Sequence, residues 1–398
     1  MNVEKKQHRS LQTFIEILLV SARLGVSSFG GPVAHLGYFH EEYVRRRKWL
    51  DEKSYADLVA LCQFLPGPAS SQVGIGIGVI RGGLFGGLLA FLGFTVPSVL
   101  ALIVFALVVQ GLDIDAAGWI HGLKIVAVAV VAHAIIGMGE KLTPDLTRKM
   151  IALFAIVTTL LWQSAFTQVG IILLSGFVGF LIFKKNEAED KVNFRVPISR
   201  GFAIICLLLF FGLLLILPLA REVSSSNWVG MFDSFYRAGS LVFGGGHVVL
   251  PLLEREFVPS GYIGKEAFLA GYGAAQAVPG PLFTFAAYIG AVMNGWQGGL
   301  LATIAIFLPA FLLIFGTLPF WDILRRNPNI NGALMGVNAA VVGILIAAFY
   351  DPIWTSSILG PIDFAFAAVL FSMLVYWKLP PWIIVLTGAI GGSLMQFL

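Results

Sequence analysis

The sequence predicts an all-α integral membrane protein that crosses a bilayer many times and consists of two repeats in opposite orientations. Composition is the first observation behind this prediction: 58% of the 398 residues are hydrophobic and 12% are charged. Soluble domains carry about 25% charged residues, so a soluble chain of this length could not bury so much apolar surface. An internal repeat and four helix-breaking clusters are the other two observations.

Several apolar stretches are long enough to cross a bilayer as helices, which takes roughly 20 residues. The clearest examples are 83–109, 151–183, 202–219 and 295–318. A transmembrane β-barrel would instead alternate polar and apolar residues along each strand. We therefore predict a polytopic helical protein rather than a barrel.

The repeat becomes visible when the two halves of the chain are aligned. RLGVSSFGG from Arg23 matches RAGSLVFGG from Arg237, 214 positions later. QFLPGP from Gln63 matches QAVPGP from Gln276, and GLFGGLLA from Gly83 has the counterpart GWQGGLLA. The matches keep their order along the chain, which indicates a duplication.

The charged loops indicate that the two repeats are inverted. The first repeat carries basic runs at 45–48 and 141–150, whereas the corresponding loops of the second repeat are near neutral or lack Lys and Arg. The loop around Asp113 has no basic residue, but its counterpart holds Arg325 and Arg326. Because Lys and Arg favour the cytoplasmic side, we expect opposite orientations. Inverted repeats of this kind recur in secondary transporters.

The predicted organisation has three parts: an N-terminal repeat at 1–183, a linker with an inverting helix at 184–227, and a C-terminal repeat at 228–398. The N-terminus, the basic loops of the first repeat and the linker are expected in the cytoplasm. The corresponding path has nine full crossings plus four hairpins or broken helices, and the breaks fall at the FGG and PGP motifs.

The four breaks predict an anion site. Inside hydrocarbon an unpaired backbone group costs several kcal/mol, so helices break there only where protein or water satisfies the freed groups. A new helix would begin after each PGP, and its free N–H groups at the positive end of the helix dipole favour an anion. The alternative is that Gly and Pro only kink packed helices. The residues predicted to line the site are Gly30, Gly31, Gly67, Ala69, Ser70 and Ser71 in the first repeat and Gly244, Gly245, Gly246, Gly280, Leu282, Phe283 and Thr284 in the second.

Five polar residues near the breaks are further candidates. Arg23 and Arg237 precede the FGG motifs and would balance the charge of an anion, or would extend their charged ends to the membrane surface. Gln63 and Gln276 precede the PGP motifs and would donate to the ligand or to freed carbonyl groups. His247 is a pH-sensitive candidate, with a histidine packed against backbone as the alternative.

Four charged residues are candidates for coupling transport to another ion. Glu41, Glu42 and Glu256 follow the FGG motifs and would carry a coupled proton, or would be solvated loop charges. Lys124 lies in an apolar stretch. It would act as a cationic gate, or would reach the outer membrane surface.

No enzymatic activity, cofactor or metal is expected from the sequence. It has no Walker loop, no H-E-x-x-H, and no G-x-S-x-G in a strand–turn–helix setting. Energy for transport would therefore come from ion gradients or from the gradient of the substrate itself. No nucleic acid partner is expected.

The motifs resemble those of the chromate ion transporter family, in its long two-domain form. The resemblance is carried by SFGGPVAHLGYFHEEYV, QFLPGPASSQVGIGIGVIRGGLFGGLLAFLGFTVPS, FGGGHVVLPLLEREFV and QAVPGPLFTFAAYIGAV, which cover about a fifth of the chain. It implies chromate export across the bacterial inner membrane and competition by sulfate. It also places the FGG and PGP motifs, with Arg23 and Arg237, in the transport pathway.

The partners implied are chromate and sulfate, protons or another coupling ion, the lipid bilayer and, in a homodimer, a second copy of the chain. Two alternatives stay open: a transporter or channel for another oxyanion or a small organic anion, and a membrane sensor or scaffold that transports nothing.

Overall fold

The computed structural model describes residues 11–29, 31–109, 118–162, 165–183, 197–224, 226–243, 249–321 and 328–395. In these ranges every regular element is a helix, which confirms the all-α prediction. The first half contains α1 Leu11–Ser27, α2 Gly31–Phe39 with a π turn at His40–Arg46, α3 Glu52–Phe64, α4 Ala69–Val109, α5 Gly118–Leu142, α6 Leu146–Leu161 and α7 Ala165–Ile182. Helix α8, Arg200–Val223, connects the two halves.

The second half repeats this order of helices. It contains α9 Asn227–Leu241, α10 Val249–Phe257, α11 Lys265–Ala277, α12 Phe285–Thr317, α13 Pro328–Ala348, α14 Pro361–Val375 and α15 Pro381–Met395. Short turns extend two of these helices: a 3₁₀ turn at Leu282–Thr284 precedes α12, and a π turn at Phe349–Trp354 follows α13.

The described helices have the length and composition of a polytopic membrane protein. Three shorter apolar helices accompany the long ones, at 167–182, 361–375 and 381–395. The five segments that are long and apolar enough to cross a membrane are 69–108, 118–142, 200–223, 282–320 and 331–357.

Side-chain caps define where several helices begin. Asp51 accepts a hydrogen bond from the Ser54 N–H at 2.9 Å at the start of α3, and Asp145 accepts from the Arg148 N–H at 2.9 Å at the start of α6. Ser199 caps α8 in the same way. Each cap satisfies one of the N–H groups that have no partner within the helix.

Helix α4 is a helical hairpin that folds back at Gly83. This residue has φ 71° and ψ −164°, which breaks the helix. A Cβ added to Gly78 would collide with the carbonyl oxygen of Gly86, and one added to Gly86 would collide with that of Gly78. Residues eight positions apart on a straight helix are about 12 Å apart, so this contact requires two antiparallel arms.

Helix α12 folds back at the matched position, 212 residues later. Gly295 has φ 61° and ψ −161°. Gly290 and Gly298 make the same mutual contact as Gly78 and Gly86. The two hairpins therefore share both their turn residue and the glycines that let their arms touch.

We expect Gly290→Ala to lower the apparent melting temperature of the purified protein. The added methyl group has no space beside Gly298, and overpacking of this kind costs about 1–3 kcal/mol. Gly137→Ala in α5 is the matched control, because a Cβ there meets no atom within 4 Å and alanine favours a helix. Equal melting temperatures for the two variants would contradict the close packing of the hairpin arms.

Candidate functional site

Both PGP motifs break the chain between two helices. Helix α3 ends at Phe64 and α4 begins at Ala69. In the second half, α11 ends at Ala277 before the turn that leads into α12. The central glycines have φ values of 109° at Gly67 and 104° at Gly280. Residues that have a Cβ rarely adopt such positive φ values. The predicted broken helices are thus present at both PGP motifs.

The two halves are joined at these breaks by reciprocal main-chain hydrogen bonds. The N–H of Gly67 donates to the carbonyl of Val242 at 2.6 Å, and the N–H of Gly280 donates to the carbonyl of Ser28 at 2.9 Å. Ser28 and Val242 follow the ends of α1 and α9 and are 214 positions apart. Each PGP motif is therefore bonded to the chain just before the FGG motif of the other half.

The ring of His35 lies where the two PGP motifs approach each other. Its Nδ1 is 3.3 Å from Oγ of Ser70, at the start of α4. The ring packs edge-on against Phe94, with 5.3 Å between centroids. A Cβ built on Gly280 would lie 3.4 Å from the Phe94 carbonyl oxygen and 2.7 Å from Oγ of Ser98. The imidazole of His35 thus lies close to three segments: the start of α4, the second arm of α4 and the second PGP motif.

Several buried polar atoms at this meeting point have no hydrogen-bond partner among the described residues. They are Oγ of Ser28, Nε2 of His35, Oγ of Ser71 and Oε1 of Gln72. These four residues are at most 2% exposed. A buried polar group without a partner costs about 1–3 kcal/mol. A polar ligand or water bound here would remove that cost.

The carbonyl groups freed by the breaks are satisfied differently in the two halves. Nε2 of Gln72 donates to the Pro66 carbonyl at 2.8 Å, and Oγ1 of Thr284 donates to the Pro281 carbonyl at 2.7 Å. Gln63, predicted as a donor to such a group, is exposed. Gln276 is buried, and its Nε2 has no partner in the described ranges.

The predicted arginine pair has two different environments. Arg23 lies on the exposed face of α1. Arg237 donates from Nε to Asp233 at 3.1 Å and from Nη2 to Glu256 at 2.9 Å. Arg221 binds the same Glu256 oxygen at 2.8 Å. The two carboxylates thus balance the two guanidinium charges, and a role of Arg23 and Arg237 in anion binding stays a prediction.

The coupling candidates also differ in their surroundings. Glu41 is exposed and pairs with the exposed Arg45. Glu42 is buried and accepts a 2.6 Å hydrogen bond from Nε of Arg47. Lys124 is buried, with Nζ 3.9 Å from a carboxylate oxygen of Glu266.

Glu42 and Glu256 remain ionised at neutral pH. Burial alone would raise the pKa of Glu42, but hydrogen bonds and charges of Arg47 and Arg46 lower it below its ordinary value. For Glu256 burial also opposes ionisation, and Ser234 with the two neighbouring arginines lowers its pKa. A carboxylate that is held ionised in this way is a poor proton carrier near neutrality.

The remaining predicted residues fall into two groups. Gly31 starts α2 with φ 76°. Ala69 is half-buried, and the turn at Leu282–Thr284 is buried. The predictions for Gly30, Gly244, Gly245, Gly246 and His247 lie outside the described residues.

Sequence reasoning missed four residues of this site: Ser28, His35, Gln72 and Ser98. A histidine one turn after FGGP in an apolar stretch is a usable signal, and the hydroxyl and amide groups beside the breaks are another. Among the described residues no group of three His, Cys, Asp or Glu side chains could hold a metal ion. The hydroxyl groups and the imidazole that converge here can donate to an anion, whereas Oε1 of Gln72 can only accept.

Comparison with known proteins assigns the family. A probable chromate transport protein of Synechococcus elongatus is 30% identical over 337 residues, which cover 82% of this chain and 81% of that protein. The chromate transport protein of Pseudomonas aeruginosa is 28% identical over 345 residues, covering 83% and 78%. An uncharacterized transporter of Methanocaldococcus jannaschii is 26% identical over 354 residues, covering 86% and 85%.

No solved structure matches the chain with significance. The sequence profile described as chromate transporter matches twice, at residues 15–180 and 229–393. These matches include most of both halves and both PGP motifs. The chain therefore belongs to the chromate transporter family.

Proposed function

We propose that this protein is a secondary transporter of the bacterial inner membrane that exports chromate from the cytoplasm. Family membership and the names of two relatives support chromate as the substrate. The apolar helices support a position in the membrane. Export rather than import rests on the resemblance of the FGG and PGP motifs.

The observation that carries the proposal is the pair of reciprocal hydrogen bonds at the breaks. They hold each PGP motif against the chain that precedes the FGG motif of the other half. A dianion is costly in hydrocarbon unless donors replace its water. Free N–H groups at helix starts and buried hydroxyl groups are such donors, and Ser70 and Ser71 supply both.

Alternating access would follow from exchange between the conformations of two inverted repeats. In this scheme 1–183 and 228–398 are the repeats, and 184–227 contains the linker and the inverting helix. The N-terminus is cytoplasmic. The matched hairpins at Gly83 and Gly295 and the matched φ values of Gly67 and Gly280 support a pseudo-symmetric pair.

The driving force is proposed to be an ion gradient or exchange for sulfate, since the sequence has no nucleotide-binding motif. Sulfate is a tetrahedral dianion like chromate, so the same donors would bind it. Other oxyanions or small organic anions are the alternative substrates. A sensor or scaffold that transports nothing would leave the buried unpartnered polar atoms at the breaks without a purpose.

Uptake of labelled chromate into inside-out membrane vesicles tests the proposal. We expect uptake that depends on a proton gradient and falls when sulfate is in excess. Vesicles without the protein are the control for leakage. Uptake equal to that control under every condition, with the protein present in the membrane, would contradict chromate transport.

A further inference from the structure

We propose that His35 binds the transported oxyanion as an imidazolium, so that one proton enters the site with each anion; this rests on the proposed function. The ring is 1% exposed, and Ser70 at the start of α4 is in contact with its Nδ1. Its Nε2 has no hydrogen-bond partner among the described residues. An anion at the start of α4 would be the missing partner of that nitrogen.

Other unpartnered groups surround the same position. The main-chain carbonyl of Ser28 lies beside the ring as an acceptor and favours its protonated form. The buried hydroxyl groups of Ser28 and Ser71 lack partners in the described ranges and can donate. The first N–H groups of α4 have no acceptor within the helix. Together these donors form an incomplete shell that a tetrahedral oxyanion would complete.

Among the described residues His35 forms no ion pair, and several neighbouring ionisable side chains are bound to other groups. The only ionisable side chain of α4 is Arg81, which is bound to Glu16. On the turn after α2, His40 pairs with Glu52, Glu41 with Arg45, and Glu42 with Arg46 and Arg47. On α1, Arg23 faces outward. Tyr38, on α2 itself, is exposed.

A buried imidazole without a counter-charge is held neutral, because ionisation in a low-dielectric site costs free energy. A bound dianion supplies that counter-charge. Linkage then requires that proton binding and anion binding favour each other by the same factor. The bound complex would carry one negative charge less than the free anion, which lowers the electrostatic cost of moving it across the membrane.

The positions matched to His35 and Ser28 differ in the second half. Val249 occupies the position 214 residues after His35, and Val242 the position 214 after Ser28. At these two positions the first half is polar and the second half is apolar, so His35 itself contributes one proton per anion.

The test is the dissociation constant of labelled chromate for the full-length protein in detergent, measured by equilibrium dialysis from about pH 8 to about pH 5.5. Wild type and His35→Gln are compared at each pH, because the protonation of chromate itself is the same for both and cancels in the ratio. We expect the ratio of variant to wild-type dissociation constant to rise as the pH falls, by up to about tenfold per pH unit. A constant ratio would overturn the inference.

His40→Gln is the matched control. It removes another histidine of the same segment whose ring nitrogen already binds Glu52, so its ratio to wild type should not change with pH. If His35→Gln does not fold, His35→Val replaces it, because valine is the residue of the second half.

Proton uptake by the wild type on binding sulfate provides an independent measurement, since sulfate stays a dianion in this pH range. Binding without net proton uptake would also overturn the inference. Failure of the wild type to bind chromate at any pH would instead contradict the proposed function.

Discussion

Replacing Gly280 with alanine is expected to reduce chromate uptake about tenfold or more while the protein still reaches the membrane. Strained backbone at such a φ costs about 1–3 kcal/mol, and each 1.4 kcal/mol corresponds to about tenfold in a rate. The new Cβ would also lie 2.7 Å from Oγ of Ser98. Both effects displace the N–H that donates to the Ser28 carbonyl. Initial uptake rates in inside-out vesicles, normalised to protein content, measure the loss.

The partner variant is Gly67→Ala, whose Cβ would lie 3.3 Å from Nε2 of Gln72 and 3.4 Å from the carbonyl oxygen of Gly239. A loss of similar size is expected if the two breaks act as a pair. Gly261→Ala is the matched control: its φ is 75°, but no atom lies within 4 Å and it is in the turn between α10 and α11. Normal uptake by both PGP variants would show that the breaks are not part of the transport pathway.

Asp233→Asn is expected to lower the stability of the protein by about 2 kcal/mol. Asp233 is fully buried and faces Arg237 at 2.9 Å and Arg221 at 3.5 Å. Its neutralisation leaves the two guanidinium groups with Glu256 as the carboxylate that they share. The loss is smaller than the roughly 3–5 kcal/mol of a fully buried broken pair, because both arginines are partly exposed. The apparent melting temperature in detergent measures this loss.

A double variant separates charge balance from packing. Asp233→Leu with Arg237→Met removes one charge of each sign and leaves Arg221 with Glu256, so most of the stability should return. Leu19 already occupies the position matched to Asp233 in the first half. Asp145→Asn is the control, since this exposed residue pairs with Arg148 and asparagine retains the cap of α6. A double variant no more stable than Asp233→Asn would contradict the charge argument.

The helical class and the positions of the PGP breaks were predictable from sequence for a local reason. Proline withholds an N–H and glycine adopts positive φ, so the clustered P-G-P sequences at 66–68 and 279–281 favour a break in the helix. The apolar stretches predicted at 83–109 and 295–318 begin at the two turn residues, Gly83 and Gly295. The contact between Gly78 and Gly86 was not predicted, because it depends on how the two arms meet in three dimensions.

The candidate site was only partly predictable, because its residues were chosen where polar residues occupy corresponding positions in the two halves. Arg23 and Arg237 match in sequence, yet only Arg237 has an acidic neighbour one turn away, Asp233. His35 and Ser28 have apolar counterparts, so a search for matched polar residues passes over them. Their importance depends on which helices meet in three dimensions, and the spacing along the chain does not contain that information.

The hydrogen bonds that join the two halves at the PGP breaks are made by main-chain atoms, and this has a consequence for how the two halves can change. A bond from the Gly67 N–H to the Val242 carbonyl survives any replacement of the Val242 side chain that the local packing tolerates. Its partner bond at Ser28 has the same property. On the predicted duplication, the two copies would therefore be able to diverge in side-chain chemistry without separating. The first half has hydroxyl and imidazole groups at Ser28 and His35, where the second half has Val242 and Val249. Any repeat protein whose halves are joined through the backbone can thus use one half to bind a ligand and the other half to support the structure.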